Sequence, residues 1–256
     1  MSNREHQKLG PDYNAFSESA YFDKINTPAK NPEYYERFHK PLVEEAKREA
    51  APHPIVLLDV ACGFAYELDF VKDDPSVYIV GIDIASDVLA QAKKRLPNAT
   101  FIAADTEHSP LAKESADVGM ALNAFGYKPD KVLETLYEAL KPGKKCAMNF
   151  RVYGNTYNDA FFQHYIDQGA VLGDGDLVVG TGEHNKRFKL KVLNYENCTD
   201  EQVRKLDKQV FLCSLGDIQE LAKAIGFDTV KHDTFHFPSP ANPDNEMDVF
   251  TFQKPT

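Results

Sequence analysis

Residues 55–68 read Ile-Val-Leu-Leu-Asp-Val-Ala-Cys-Gly-Phe-Ala-Tyr-Glu-Leu. The first four are apolar and precede small residues, which is typical of a strand buried on both faces in a parallel sheet. An acid, Asp59, stands at the predicted end of this strand, and a helical pattern begins at Glu67. The small side chains between them would let a ligand approach the backbone closely. This order predicts a nucleoside-binding edge of an open α/β sheet, although a tight turn without a ligand has the same pattern.

Two further predicted strands also end in an acid, and this repetition favours the ligand-binding interpretation. The run Val77 to Ile82 is followed by Asp83, and the run Thr100 to Ala103 by Ala104 and then Asp105. Each interval between the acids fits one strand plus one helix, so the three carboxylates should line the same edge of the sheet. An acid after the second strand can accept hydrogen bonds from ribose hydroxyls, and one after the third can face an adenine amino group.

The rest of the chain alternates helices and strands as far as residue 150 and then changes character. We expect Ser86 to cap one helix, Pro129 to begin another, and Pro41 to end or kink the first one. A hairpin is predicted from strands at residues 177–180 and 187–194. The closing elements are a helix from Ser214 with Asp217 as its capping partner, ending at Gly226, and strands at 227–230 and 247–252.

Composition limits the classes of partner. The formal net charge of −10 and the lack of a basic cluster argue against nucleic acid. No apolar run approaches the length of a membrane span and no signal peptide is evident, so we expect no membrane partner and a cytoplasmic location. The four cysteines lack metal-ligand spacing and fit reduced thiols, so we expect no metal site; they are Cys62, Cys146, Cys198 and Cys213.

Several motifs resemble those of class I S-adenosylmethionine-dependent methyltransferases. Leu-Leu-Asp-Val-Ala-Cys-Gly-Phe-Ala at 57–65 is similar to the first motif of that family, and Gly-Ile-Asp-Ile-Ala at 81–85 to its ribose-binding motif. Ala-Asp-Thr-Glu-His-Ser-Pro-Leu at 104–111 and Leu-Lys-Pro-Gly at 140–143 follow in the family's order. The resemblance implies an α/β fold with a doubly wound, seven-stranded, mostly parallel sheet and a reversed last hairpin.

We therefore expect a single methyltransferase domain over residues 1–256. It would comprise an N-terminal helical arm (1–50), a cofactor-binding core (55–150), a lid insertion (151–213), and the last helix with its strand pair (214–256). The lid is similar in placement to the insertion of glycine and sarcosine N-methyltransferases, and the middle of the chain is similar to quinone-biosynthesis methyltransferases. The Asn-Pro-Pro-Tyr motif of DNA and glutamine N-methyltransferases is absent after the fourth strand.

The resemblance implies S-adenosyl-L-methionine as cofactor and S-adenosyl-L-homocysteine as its product. Glycine is usual in the family at the positions of Ala61 and Ala65, so this loop departs from the pattern. The resemblance implies that Asp59, Ala61 and Gly63 lie beside the methionine part of the cofactor and that Asp83 binds the ribose. It places Ile84, Asp105 and Thr106 around the adenine. Asn123 would lie near the methionine part or the substrate.

The predicted activity is methyl transfer to an oxygen or nitrogen of a small molecule. Candidate catalytic residues over the pocket are Tyr127, Tyr157 and His164, and each also fits an ordinary packing or surface position. Tyr13 and Tyr21 of the arm are candidates to cover the cofactor. The alternative is a methyltransferase-like protein that binds the cofactor without methyl transfer, as a regulatory subunit or a cofactor-dependent cyclase or isomerase. A dehydrogenase is excluded because the chain lacks a Gly-x-Gly-x-x-Gly loop; a homodimer stays open.

Overall fold

The computed structural model describes residues 32–122, 129–150, 152–154, 156–179, 186–199, 209–236 and 246–256. Of residues 150, 156–161, 229 and 230 it describes the backbone alone. The predicted roles of Tyr13, Tyr21, Asn123 and Tyr127 fall outside the described residues and stay predictions.

The described strands form one large and one small sheet. The strands are β1 (Ile55–Val60), β2 (Val77–Asp83), β3 (Thr100–Ala103), β4 (Ala116–Ala121), β5 (Leu140–Phe150), β6 (Val171–Val179), β7 (Lys186–Asn194), β8 (Gln209–Leu212), β9 (Thr229–His236) and β10 (Glu246–Gln253). The large sheet has the order β3-β2-β1-β4-β5-β10-β9. Its first five strands are parallel, and β10 runs antiparallel to both β5 and β9. The predicted seven-stranded sheet with a reversed last hairpin is confirmed.

Helices cover both faces of this sheet, as a doubly wound fold requires. They are α1 (Pro32–Tyr34), a π-helical turn (Tyr35–His39), α2 (Lys40–Ala50), a 3-10 helix (Tyr66–Val71), α3 (Ser86–Arg95), a second 3-10 helix (Thr106–His108), α4 (Pro129–Ala139), α5 (Thr156–Asp167) and α6 (Leu215–Ile225). Because side chains alternate along a strand, Leu57 of β1 packs with α2 and α3, and Leu58 packs on the opposite face with α4 and α6. Among the described helices, none has the length and apolarity needed to cross a membrane.

Pro41 is the second residue of α2 and does not end the helical segment that begins at Pro32. The chain is helical from residue 32 to residue 50, and a π-helical turn at Tyr35–His39 precedes the proline. In an α-helix, the ring of Pro41 would clash with the carbonyl of residue 37, and its missing N–H would leave that carbonyl unpaired. The wider turn is closed by the N–H of Lys40, which donates to the carbonyl of Tyr35 five residues earlier. The expected interruption therefore takes the form of one wide turn.

The second sheet, β6-β7-β8, lies within the predicted lid insertion. The predicted hairpin is present as β6 and β7, with β6 longer than expected, and β8 was not predicted. Apolar side chains of this sheet belong to the same core as α6, namely Leu177, Val179, Phe188 and Leu190. The α6 helix begins with the expected capping box between Ser214 and Asp217 and is followed by Gly226. The role of residues 151–213 as a lid stays a prediction.

Candidate functional site

The acids singled out in the sequence meet at the carboxyl-end edge of the large sheet. Asp59 pairs in register with Gly81 of β2, Asp83 ends β2 beside Ala103, and Asp105 follows β3 by two residues. Asp59 lies inside β1, one residue before its end, and is fully buried. This edge is where open α/β sheets bind ligands, because the loops after neighbouring parallel strands converge there.

The loop after β1 has left-handed backbone at alternate residues. The φ angles are 58° at Ala61, 50° at Gly63 and 52° at Ala65. An L-residue with a side chain adopts this conformation at a cost of roughly 1–2 kcal/mol, so the two alanines, where the resembling family has glycine, hold the loop in a strained shape. A Cβ atom built on Gly63 would have no heavy atom within 4 Å. The space beside the Gly63 backbone is therefore open to a ligand.

Asp83 ties this loop to the end of β2. Its Oδ2 accepts a hydrogen bond from the Gly63 N–H at 2.8 Å, and its Oδ1 accepts one from the Ala85 N–H at 2.8 Å. Burial raises the pKa of Asp83, and the hydrogen bonds from Ala85, Gly63 and Ile84 act in the opposite direction. Ser86 is not the cap predicted from the sequence, because it is the first residue of α3 and Ala85 holds the cap position without a side-chain bond.

A second acid, Glu67, shares the buried space of Asp59. Burial is the largest cause that raises the pKa of Asp59 well above its usual value, followed by the charge of Glu67. Burial also raises the pKa of Glu67, to about 7. Neither oxygen of Asp59 has a hydrogen bond of normal geometry, yet the carboxyl groups lie close enough to titrate together. Two like charges in a low-dielectric site resist joint ionisation, so the pair holds a proton near neutral pH.

Arg95, at the end of α3, fixes the loop from the side. Its guanidinium donates to the carbonyl of Phe64 and to the carboxylate of Asp69, and it lies 4.3 Å from the centre of the Tyr66 ring. Its charge also lowers the pKa of Glu67, against the effect of burial. The sequence places Arg95 in the last turn of a helix, where a cation complements the helix dipole, and this position alone does not identify its role at the loop.

The first helix brings an aromatic cluster to these acids. Tyr34 and Tyr35 are buried, with ring centres 5.5 Å apart. Burial raises the pKa of Tyr35, and the charges of Glu67, Asp59 and Asp69 contribute in the same direction. The Tyr34 hydroxyl accepts a hydrogen bond at 3.2 Å from Asn149 of β5.

From the sequence, Tyr13 and Tyr21 were the arm residues expected to cover the cofactor. Tyr34 and Tyr35 are the arm residues that the described structure places beside the acids. Glu67 lies eight residues after Asp59 in the sequence. It is the second residue of the site, after Arg95, that the sequence pattern did not identify. Its signal was an acid in the first turn after the small-residue loop, a position where most acids are solvated.

The residues predicted to surround the adenine lie at the ends of β2 and β3. Ile84 is partly exposed, and Asp105 accepts a hydrogen bond at 2.9 Å from the Glu107 N–H, which caps the short helix there. The buried Thr106 hydroxyl has no hydrogen-bond partner among the described residues. Asp105, Glu107 and His108 also place ligand atoms within 4.8 Å of one another, a grouping common on surfaces that bind no ion. The roles of Ile84, Asp105 and Thr106, and the expected lack of a metal, stay predictions.

The predicted catalytic residues that the structure describes lie on α5. Tyr157 is in the backbone-only part of this helix. The His164 ring is exposed, with its Nε2 at 2.8 Å from Nε2 of Gln168 and its ring centre 5.3 Å from that of Tyr165. Catalysis by either residue stays a prediction.

Comparison with known proteins identifies the core. Residues 57–143 match the family described as a methyltransferase domain. Residues 57–143 are a class I methyltransferase domain. Over 142 residues the chain is 31% identical to the dTDP-3-amino-3,4,6-trideoxy-alpha-D-glucopyranose N,N-dimethyltransferase of Streptomyces venezuelae, which covers 53% of this chain and 57% of that protein. Over 90 residues it is 33% identical to the trans-aconitate 2-methyltransferase of Afipia carboxidovorans, covering 34% of this chain and 35% of that protein.

The chain therefore matches 57% of the length of the first of these relatives and 35% of the second.

Solved structures support the methyltransferase fold over nearly the whole chain. A phosphoethanolamine N-methyltransferase of Haemonchus contortus, solved with S-adenosylhomocysteine, has a TM-score of 0.59 at 16% identity and covers 100% of this chain and 61% of that one. A methyltransferase of Thermotoga maritima has a TM-score of 0.55 at 13% identity and covers 96% and 99% of the two chains.

S-adenosylmethionine is the cofactor of this domain family, and the described residues fit it. The open space at Gly63 admits a ligand against the backbone, and the Asp83 carboxylate can accept hydrogen bonds from vicinal hydroxyls. The buried acids Asp59 and Glu67 suit a ligand with positive charge at its amino-acid end. The donor set thus matches a nucleoside that carries a cationic chain.

Proposed function

We propose that this protein transfers a methyl group from S-adenosylmethionine to an oxygen or nitrogen atom of a small-molecule acceptor. The observation that carries the proposal is the bond between the Asp83 carboxylate and the Gly63 N–H, at the open side of a left-handed loop. It joins the two motifs that such a cofactor requires, at the edge of a sheet with the strand order of the fold.

The chain's residues hold the cofactor in proposed positions. Asp83 accepts the ribose hydroxyls, Ile84, Asp105 and Thr106 surround the adenine, and Asp59, Ala61 and Gly63 lie beside the methionine part. Asn123 is proposed to face the methionine part or the acceptor. When bound, the cofactor supplies an electrophilic methyl group on a sulfonium.

Methyl transfer of this kind is an in-line displacement, so the protein's main task is to hold the acceptor at attack distance in a site closed to water. The sheet β6-β7-β8 and α5 are proposed to close that site. An acceptor that carries a proton of high pKa also needs a base, and His164, Tyr157 and Tyr127 are the proposed candidates. A small-molecule acceptor is supported by the relatives, whose names specify an amino sugar and trans-aconitate.

Calorimetric titration with S-adenosylmethionine and with S-adenosylhomocysteine tests the cofactor site. We expect micromolar binding of both. A panel of small amines, alcohols and carboxylic acids, with methylated product detected by mass spectrometry, then tests the transfer. Binding without transfer to any acceptor would favour the alternative of a cofactor-binding protein without methyltransferase activity, and no binding of either ligand would overturn the proposal.

The candidate base is tested separately with His164→Gln and the neighbouring exposed Gln163→Ala as control. A lower kcat at unchanged cofactor affinity in the first variant alone supports His164 as the base. An unchanged kcat would remove it from the mechanism.

A further inference from the structure

The cofactor's positive end would meet a pair of acids that holds a proton in the free protein. Asp59 is fully buried and Glu67 is 8% exposed. They lie on the two sides of the open loop at Gly63 along the chain, Asp59 near the end of β1 and Glu67 in the 3-10 helix that follows the loop. Among the described residues, the guanidinium of Arg95 forms its ion pair with Asp69 and acts on Glu67 only through its charge.

Groups on every packed element influence this pair. Asp83 contributes negative charge from β2 and raises the pKa of both acids, and Arg95 from α3 opposes this for Glu67. From the first helix, the neutral hydroxyls of Tyr34 and Tyr35 face the pair. The remaining titratable groups around it are Cys62 and Asp69 on the loop and its helix, and His39 on the far side of Tyr35.

Most of these neighbours stay uncharged near neutral pH. Burial raises the pKa of the Cys62 thiol and of both tyrosines and lowers the pKa of His39 to about 3. The charge state of the site near neutral pH is therefore decided by Glu67 and Asp59 under the influence of Asp83 and Arg95. A ligand that brings one positive charge would shift that balance by Coulomb attraction in a poorly screened site.

The methyl donor and its product differ by such a charge. S-adenosylmethionine carries a sulfonium, and S-adenosylhomocysteine carries a neutral thioether; the rest of the two molecules is the same. We infer that the Asp59–Glu67 pair makes the site select the methyl donor over its product. The pair releases the proton that it holds when the sulfonium binds, and it keeps this proton when the thioether binds.

This inference rests on the proposed function and deepens it, since it assigns discrimination between donor and product to two named residues. In the donor complex the carboxylic O–H bond of the pair breaks, its electrons stay on the carboxylate, and the proton passes to solvent. The negative charge then stabilises the sulfonium. After methyl transfer the sulfonium is gone, a proton returns to the pair, and the product is held less tightly than the donor.

The test is calorimetric titration of the full chain near pH 6.5 in two buffers of different ionisation enthalpy, so that released protons are counted from the difference in heat. Three probes are compared: S-adenosylmethionine, S-adenosylhomocysteine, and sinefungin, which has an ammonium in place of the methylsulfonium. We expect about half a proton or more released with each cationic probe and close to none with the thioether. Because donor binding releases a proton and product binding does not, the preference for donor over product should rise by up to about tenfold for each unit by which the pH increases toward the pKa of Glu67.

Glu67→Gln should bind both ligands with a smaller preference and without proton release, and Asp73→Asn, at an exposed position, should behave as the wild type. Equal proton release with donor and product would overturn the inference while leaving the proposed function intact, and this comparison needs no variant. Binding of neither ligand would overturn the proposed function and this inference together.

Discussion

The Oδ2 atom of Asp83 accepts a hydrogen bond of 2.8 Å from the backbone N–H of Gly63. One carboxylate thereby joins the end of β2 to the loop after β1, and the proposed ribose site and methionine site share a single support. A change at either residue is expected to alter both.

Asp83→Ala removes two charge-assisted acceptors and should cost on the order of 2–4 kcal/mol of cofactor binding. That corresponds to a rise of roughly 30-fold to 1,000-fold in the Kd for S-adenosylhomocysteine, measured by calorimetry. The exposed Asp73→Ala is the matched control and should bind as the wild type. Unchanged affinity in the first variant would mean that the ribose does not bind at the end of β2.

Arg95→Gln should weaken cofactor binding without touching the cofactor. The variant loses the charged bonds to Phe64 and Asp69 and the contact with the Tyr66 ring, so the loop is less well fixed. We expect about a tenfold rise in Kd and a loss of roughly 1–2 kcal/mol in the free energy of unfolding. Lys94→Gln, the adjacent exposed cation on α3, should change neither quantity. An equal effect of both variants would mean that the loss of positive charge at the end of α3 matters, and not the loss of the Arg95 contacts with Phe64, Asp69 and Tyr66.

Ala61→Gly should leave the protein as stable as the wild type or more stable by up to about 1 kcal/mol. Relief of the left-handed conformation at φ 58° is worth roughly 1–2 kcal/mol, and the added freedom of glycine in the unfolded chain costs about 0.5–1 kcal/mol. Ala90→Gly, in the exposed middle of α3, should instead destabilise by about 1 kcal/mol. Urea unfolding of the two variants compares them directly, and destabilisation of both to the same extent would contradict the strain assigned to Ala61.

The free energy of unfolding of the cofactor-free protein should fall as pH rises from about 4.5 to 7. Glu67 has a pKa of about 7 in the folded protein, against 4.5 for an ordinary glutamate. In this window the folded state binds more protons than the unfolded state, so stability is fully present at low pH and is lost as pH rises through the folded pKa. The shift corresponds to at most about 3 kcal/mol.

Denaturant unfolding across this pH range provides the measurement. Glu67→Gln should show a flatter dependence on pH, because glutamine cannot ionise, and the exposed Asp73→Asn should keep the wild-type slope. Stability that rises over the same interval in the wild type would refute the assignment of the raised pKa.

Much of the fold, including the convergence of the acids at one edge of the sheet, was predictable from periodic signals. The apolar run before Asp59, its recurrence before Asp83 and Asp105, and the helical stripes between them are local patterns that buried parallel strands impose on a sequence. The capping box at Ser214 and Asp217 is likewise written in neighbouring residues. Strand boundaries differed, as for β9, which runs from Thr229 to His236 where a strand at 227–230 was expected.

What the sequence could not provide depends on contacts between distant segments. Arg95 reaches residues about thirty positions earlier in the chain, and Tyr35 approaches Glu67 only because the first helix packs against the loop. No periodic pattern in the neighbouring sequence distinguishes an arginine that binds a distant loop from one that only occupies the last turn of a helix. Glu67 was ambiguous for the same reason, since it is buried in the folded protein and no local pattern distinguishes it from a solvated acid.

The π turn at Tyr35–His39 determines in which direction the side chains on its N-terminal side point around the axis of the first helix. One residue added to or removed from an α-helix rotates everything on one side of it by about 100°. Deletion of the exposed Arg37 together with Pro41→Ala would restore a regular helix and turn Tyr34 and Tyr35 away from the acids while the helix itself persisted. Pro41 requires this wide turn, and it thereby determines which side chains of the first helix lie toward Glu67.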